Sequence, residues 1–457
     1  MPSPSSAVPH RLSVRHLFVL VPVLGVAVAA AGAIADNSFL WHVRSGTLQL
    51  DLGEVLRTDP FSFTAGGEEW RTQSWIADLG YGLMEQWTGD LSWVWPVVAI
   101  TMTATLALVG IAIYREAANP LATAAVLFFV AWLVLRTLVP RPVIFSHLLL
   151  AMLIVVLAHP RLRWTIPLVF WIWAGLHGSF VIGLGLVVLE AARTGRRQLW
   201  GALGLSVVAV SLTAHGLALW SLLVDFASNR GALDLISEWA PPDLTDVGVV
   251  PYALFVVALL VAATRGRFTL RDLIVVGPFL LFGLTSYRAV IPATLVLAPW
   301  VARAVELPAP SRRVESGLLN GAIALSLVVL AIWLGAVRAE STPDDEVFPV
   351  AAVAGLTEGR TFHGDAVGGY LIYAAWPDRL VYTDDRAELY GEDRFREFLT
   401  TQAGEDGWEE VFDLHDIEQA LLAVDATGLQ EVLAASGWEE RYRDADYVVL
   451  LRPVGQG

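Results

Sequence analysis

A lone carboxylate, Asp36, stands where the almost purely apolar run 17–35 ends. A run of that length crosses most of a hydrocarbon core. Asp36 therefore falls at the water interface, where an acid can ionise and still meet a membrane-bound substrate. A proton acceptor or a metal ligand would stand there. Two arginines complement it. Arg141 lies between apolar stretches, and Arg288 interrupts the run 273–303, where a guanidinium is costly unless paired. The planar guanidinium fork matches a phosphate group. Glu238, in Ile236-Ser237-Glu238-Trp239-Ala240-Pro241-Pro242, is the acid best suited to pair with Arg288, and Tyr287 precedes that arginine. His42 and His177 are further candidates for a cavity wall, but His147, His177 and His215 follow no metal-binding spacing.

The elements that must position these groups are membrane helices. The 457 residues are 55% hydrophobic and 16% charged, with a mean hydropathy of +0.57, the composition of a polytopic membrane protein. No cysteine is present, which excludes disulfides and thiolate chemistry. All 30 basic residues are arginine. The opening apolar run has no small-residue cleavage site after it and reads as an uncleaved anchor.

Apolar stretches fall near 17–35, 93–114, 120–136, 143–158, 165–190, 199–222, 251–264, 273–303 and 317–337. Arginines cluster at Arg11/Arg15, Arg115, Arg161/Arg163, Arg193/Arg196/Arg197, Arg265/Arg267/Arg271 and Arg303/Arg312/Arg313. If all six clusters are cytoplasmic, an even number of crossings separates each neighbouring pair. The stretch 165–190 must then turn back, most simply at Gly175-Leu176-His177-Gly178-Ser179, and 273–303 must turn at Thr285-Ser286-Tyr287-Arg288. Such half-length hairpins are tolerated only against protein or a wet cavity, so His177 and Arg288 would line a cavity open to the outside. The expectation is a polytopic α-helical membrane domain over 1–338 with about 11 transmembrane helices, the N-terminus being cytoplasmic.

Residues 36–92 read as a large first external loop. In it Asp59-Pro60-Phe61-Ser62-Phe63-Thr64 is extended or turning, and Trp75, Ile76, Leu79, Leu83, Met84 and Trp87 mark an amphipathic helix along the interface. The loop tryptophans, Trp41 among them, suit interfacial anchoring. From residue 339 onward 26 acidic residues face eight arginines, against 19 acids and 22 arginines before it. This acidic tail, 339–457, is expected to form a C-terminal extracytoplasmic α/β domain, and nothing suggests nucleic-acid binding. Strands are expected at Tyr370–Ala374, Leu380–Thr383, Ile417–Val424 and Tyr447–Leu451, and helices at Arg394–Gln402 and Gly428–Ala435. Gly368-Gly369-Tyr370 reads as a tight turn. Asp384-Asp385-Arg386, followed by Tyr390, lies just past an expected strand end, a usual place for a site.

These pieces together resemble the GT-C superfamily of membrane glycosyltransferases, and more narrowly a bacterial branch of it. That branch opens with Asp-Pro-Asp-x-Trp-Trp-His-x-x-x-Gly and continues with Asp-Pro-Phe-Ser-x-Thr and two tryptophans. Asp36, Trp41, His42, Gly46, Asp59, Pro60, Phe61, Ser62, Thr64, Trp70 and Trp75 match it. Later matches are Arg141-Pro142, Phe145-Ser146, Leu176-His177-Gly178, Glu238-Trp239, Arg288, Gly368-Gly369-Tyr370-Leu371 and the run Asp384 to Tyr390. The chain departs from the pattern at Ser38, which takes the place of the second acid. It departs again at Gly175, at Thr213-Ala214-His215-Gly216, and at Asp385, where the tail motif reads Asp-Gly-Arg.

The resemblance implies a plasma (inner) membrane enzyme. It would move a hexose or pentose from a polyprenyl-phosphate-linked donor, at the outer face, to a glycan, lipid or protein acceptor. Asp36 would take the acceptor's proton or hold a divalent cation (Mg or Mn). Arg141 and Arg288 would bind the donor phosphate. Trp41, His42, Asp59, His177, Glu238 and Tyr287 would line the cavity. Gly368, Gly369, Tyr370, Asp384, Asp385, Arg386 and Tyr390 would contact the acceptor. The loss of an acid at Ser38 instead favours a non-catalytic membrane scaffold or sensor whose outer domain binds partners. A transporter is disfavoured because no half-chain repeat is evident.

Overall fold

The structure, a computed structural model, describes residues 12–221, 224, 237–305 and 315–453. Arg11, Ile236, Arg312 and Arg313 lie outside the described residues.

The first apolar run forms α1 (Val14–Ala29). The segment read from sequence as a loop is largely helical, holding α2 (Asn37–Leu52) and α3 (Trp75–Thr88). Asp36 is the N-cap of α2, its carboxylate accepting the Phe39 N–H, and Gly53 ends the helix in the left-handed region at φ 69°. The two helices touch backbone to backbone. A Cβ on Gly46 would come within 1.7 Å of the Asp78 carbonyl oxygen, and one on Gly82 within 2.3 Å of Thr47 N. The amphipathic helix expected along the interface is α3, but it packs on α2 and α7.

The helical body continues with α4 (Val94–Ala117), α5 (Pro120–Val134), α6 (Val143–Ala158), α7 (Ile166–Leu176), α8 (Phe180–Thr194) and α9 (Arg197–Val210). After these come α10 (Val250–Thr264), α11 (Leu273–Phe282), α12 (Tyr287–Ala304) and α13 (Gly317–Arg338). Among the described residues three segments, Val94–Ala117, Pro120–Thr137 and Gly317–Arg338, are long and apolar enough to cross a membrane. Five shorter helices, α1, α6, α9, α10 and α11, are also apolar. The run 165–190 breaks at His177-Gly178-Ser179, and 273–303 breaks between Phe282 and Tyr287. With 11 residues in α7 and 10 in α11, each of these arms extends only about 15 Å. The center of the bundle is α12, buried continuously from Ala289 to Ala302 and packed on α4, α5, α6, α10 and α11. On α13 only Asn320, Ala331 and Gly335 are buried, so most of that helix faces outward.

The tail contains α14 (Val350–Val353), β1 (Arg360–His363), α15 (Asp365–Ala375), α16 (Ala387–Gln402), α17 (Trp408–Leu414), β2 (Ile417–Ala423), α18 (Thr427–Ala435), β3 (Glu439–Arg443) and β4 (Tyr447–Leu451). Its sheet runs β1-β2-β4-β3, with β1 parallel to β2 and the remaining pairs antiparallel. Two expected strands are corrected. Tyr370–Ala374 belongs to helix α15, and Leu380–Thr383 makes a single bridge, Val381 with Ser62.

The tail keeps its own apolar center around Phe362, Tyr382, Phe398, Phe412 and Val448. The helical body's core reaches into it, joining Tyr370, Leu371, Ile372 and Val381 to Phe39, Tyr81 and Met102.

Candidate functional site

The site is assembled where the start of α2 meets α15 and the segment that follows it. The Asn37 side chain donates to the Asp365 carbonyl at 2.9 Å and accepts the Tyr370 N–H at 3.0 Å. Gly369 permits this closeness, since a Cβ there would sit 2.1 Å from the Asn37 carbonyl oxygen. A Cβ on Gly368 would sit 2.2 Å from the Thr383 carbonyl oxygen. The glycine pair therefore serves helix packing; the tight turn expected from sequence is absent.

Arg386 locks this junction. Its guanidinium is fully buried, donating to Asp384 at 2.7 and 2.6 Å and to Asp59 at 2.7 Å. The Tyr390 hydroxyl donates to Asp384 at 2.9 Å, while Asp59 also accepts from the N–H groups of Phe61 and Ser62. Trp70, Phe61 and Trp41 surround the cation with ring centroids 4.5, 5.4 and 5.9 Å from it. Two tryptophans matched to the motif thus box an arginine and are buried against it, whereas Trp87 stays exposed. Burying an ion pair this deeply is tolerated because every oxygen and most donors are used.

Beside this knot runs a chain of alternating charges. Arg141, in the segment before α6, donates from Nε to Asp36 at 2.7 Å, and its Nη1 lies 3.6 Å from Glu238. Glu238 in turn accepts from Arg288 at 2.6 and 2.5 Å. Exposure rises along the series: the Asp36 side chain is 7% accessible, Arg141 28%, Glu238 40% and Arg288 46%. The Tyr287 N–H donates to the Ala240 carbonyl at 2.9 Å, tying the first turn of α12 to the Glu238 segment. Asp36, Arg141 and Arg288, chosen from sequence, are thereby brought together, with Glu238 linking them.

His42 and His177 sit deeper. His42 is buried, with Nδ1 2.7 Å from Asp78, which also accepts from Ser45 and Thr72. Trp41 stacks on the His42 ring at 3.6 Å. His177 ends α7, bonds Ser179 Oγ at 2.9 Å and lies within electrostatic reach of Arg288, His147 and His42.

Asp385 differs from its neighbours. Asp385 is an exposed residue, yet its carboxylate accepts from Trp41 Nε1 at 2.8 Å and from the Ser38 hydroxyl. Protein crowds the recess around it. Desolvation, with the Asp384 charge adding, pushes its carboxyl up to about 6. Arg141 and the Ser38 hydrogen bond work against that rise, and Asp36 adds slightly to it.

A divalent cation does not fit Asp36. Its Oδ1 accepts from Phe39 N–H and its Oδ2 from a guanidinium, so a cation would have to displace a cation. Among the described residues no three Asp, Glu or His side chains converge as a metal cage.

Sequence reasoning placed Asp385 only among acceptor contacts and missed Asn37 altogether. The signal for the first was the pair of motif departures, Ser38 and Asp385, which touch in the fold.

No known protein-family pattern matches this chain, and no curated protein does. Two crystal structures of ArnT from Cupriavidus metallidurans are similar in fold. The one bound to undecaprenyl phosphate is 14% identical, with a TM-score of 0.48, over 96% of this chain and 98% of that one. The apo form is 15% identical, with a TM-score of 0.48, over 95% of this chain and 97% of that one. At that distance the likeness is one of overall chain path.

Proposed function

We propose that this protein is a GT-C-type glycosyltransferase of the inner membrane. It would take a sugar from a polyprenyl-phosphate donor at the outer face and pass it to a hydroxyl or amide acceptor. The observation that carries this reading is the charge series from Asp36 through Arg141 and Glu238 to Arg288. It lies at the ends of the motif-bearing segments that resemble that superfamily, and its outermost member is a half-exposed guanidinium.

A guanidinium has five N–H donors, so Glu238 does not exhaust Arg288. The departing phosphate gains charge as the sugar leaves, and fixed cations at that point lower the barrier. Arg288 is the first cation a phosphate would meet. Arg141, held by Asp36, is the second and is preset in orientation by that pair. Asp36 caps α2 and aims Arg141.

The scaffold reading draws on the same series, in which every charge has a partner within the chain. Binding separates the two. Undecaprenyl phosphate in nanodiscs should bind the wild type, and Arg288→Ala should weaken binding at least tenfold. Transfer should also deplete label from lipid-linked sugars in membranes prepared from cells grown on radiolabelled glucose, and Arg288→Ala should slow it about 100-fold. Absence of both binding and depletion in the wild type would remove the enzymatic reading.

A further inference from the structure

We infer that Asp385, contributed by the tail and held against Ser38, is the carboxylate that takes the acceptor's proton. This deepens the glycosyltransferase reading and rests on it.

Three observations carry the inference. Asp36 is poorly suited to the task because its two oxygens are engaged by the Phe39 N–H and the Arg141 guanidinium, and only 7% of its side chain is accessible. Taking a proton there would break an ion pair inside the protein. Asp59 and Asp384 are excluded in the same way, being sealed around Arg386 with no accessible side-chain surface on Asp59. Asp385 alone in this group is an exposed residue with a fixed carboxylate, because Trp41 Nε1 and the Ser38 hydroxyl hold its two oxygens.

The second observation is positional. Ser38 lies in the first turn of α2, two residues after Asp36. A carboxylate hydrogen-bonded to Ser38 therefore occupies nearly the space that an acidic side chain at position 38 would reach. Ser38 and Asp385 are in contact, so the tail carboxylate is set two residues along the chain from Asp36, where the charge series starts.

The third is electrostatic. The groups facing Asp385 are Asp384, neutralised by Arg386, then Arg141 and Asp36, which are paired to each other. Crowding raises its proton affinity toward neutrality, which suits a general base near its working pH. In the step, a lone pair of the acceptor oxygen forms the bond to the anomeric carbon, and the bond from that carbon to the phosphate oxygen breaks. Its electron pair leaves with the lipid phosphate, and the acceptor proton passes to Asp385.

The test uses the full-length protein in membranes holding the same radiolabelled lipid-linked sugars. Asp385→Asn and Asp385→Gly should lower transfer about 100-fold or more while undecaprenyl phosphate still binds. Binding also serves as the check on folding. The double variant Ser38→Asp with Asp385→Gly should recover transfer to within about tenfold of wild type, the margin a displaced base would cost. Wild-type transfer should fall at acid pH with a midpoint near 6, and that limb should be absent in Asp385→Asn. Wild-type rates in Asp385→Asn, or a double variant no faster than Asp385→Gly, would overturn the inference and leave the glycosyltransferase reading standing. Should neither single variant fold, a wild-type rate that is flat between pH 5 and about 8 overturns it alone. No transfer by the wild type would remove the inference together with the reading beneath it.

Discussion

Replacing Arg386 by methionine tests whether the tail is pinned to the first helical hairpin by one buried cation. The guanidinium lies wholly inside the protein between Asp59 and Asp384. Its removal strands two carboxylates with no water to replace it. Breaking such a pair costs about 3–5 kcal/mol, more than the loss of either hydrogen bond alone. Taking about 4 kcal/mol, local opening at the junction should become roughly a thousandfold more frequent.

Hydrogen exchange on the detergent-solubilised protein reads this directly. Amides of α15 and of the first turn of α2 should lose protection, whereas those of α12 should keep theirs. The triple variant Asp59→Asn, Arg386→Met, Asp384→Asn removes all three charges and should regain most of the protection. Unchanged exchange in the single variant would refute the claim that Arg386 holds the junction. Equal loss in the triple variant would show that packing, not charge, is responsible.

Four further outcomes are expected. Gly369→Ala places a methyl 2.1 Å from the Asn37 carbonyl oxygen, so α15 must shift, at about 1–3 kcal/mol, and exchange should rise at α15 without Arg386 being touched. Gly46→Ala meets the Asp78 carbonyl at 1.7 Å and should separate α2 from α3, measured as a lower unfolding temperature. Arg288→Ala should leave thermal stability within about 1 kcal/mol, because its partner Glu238 is also well exposed, while undecaprenyl phosphate binding weakens; an equal effect on both would argue against a ligand-facing role.

His363 supplies the fourth. It is buried, accepts the Tyr382 N–H on Nε2 and donates from Nδ1 to the Gly364 carbonyl. Burial pulls its pKa down to about 4. The folded state therefore favours the neutral ring, and stability is lost as pH falls from about 6.5 to about 4, by about 3 kcal/mol. Urea melts of the tail followed by exchange should show that slope, and His363→Gln should flatten it.

What the sequence revealed was governed by contrast. His177-Gly178-Ser179 and the segment before Arg288 stand out as polar residues inside apolar runs, so both breaks could be located from composition and arginine parity. α2 carries its information differently. Ser45, Gly46 and Thr47 dilute its apolar face, and only the cap at Asp36 and the stop at Gly53 announce it. α15 looked unlike a helix because glycine disfavours one. Its two glycines are needed for approach to Asn37 and Thr383, a requirement set by residues more than 300 positions away in the first case. β1 has four residues and β3 is a mostly exposed edge of charged ones, so neither shows clear alternation. The charge series was legible one residue at a time, but its order was not. That Asp36 faces Arg141 depends on the segment before α6 reaching the start of α2, and that Asp385 faces Ser38 depends on the tail folding back over α2.

The partners at this junction lie at opposite ends of the chain: Asn37 with Tyr370, Asp59 with Arg386, Ser62 with Val381. During synthesis the first hairpin emerges long before the residues that complete it. Asp59 has no arginine partner until residue 386 has been made. Closing so long a loop comes late in folding. A chain truncated before residue 386 would thus lack the cation that joins Asp59 to Asp384.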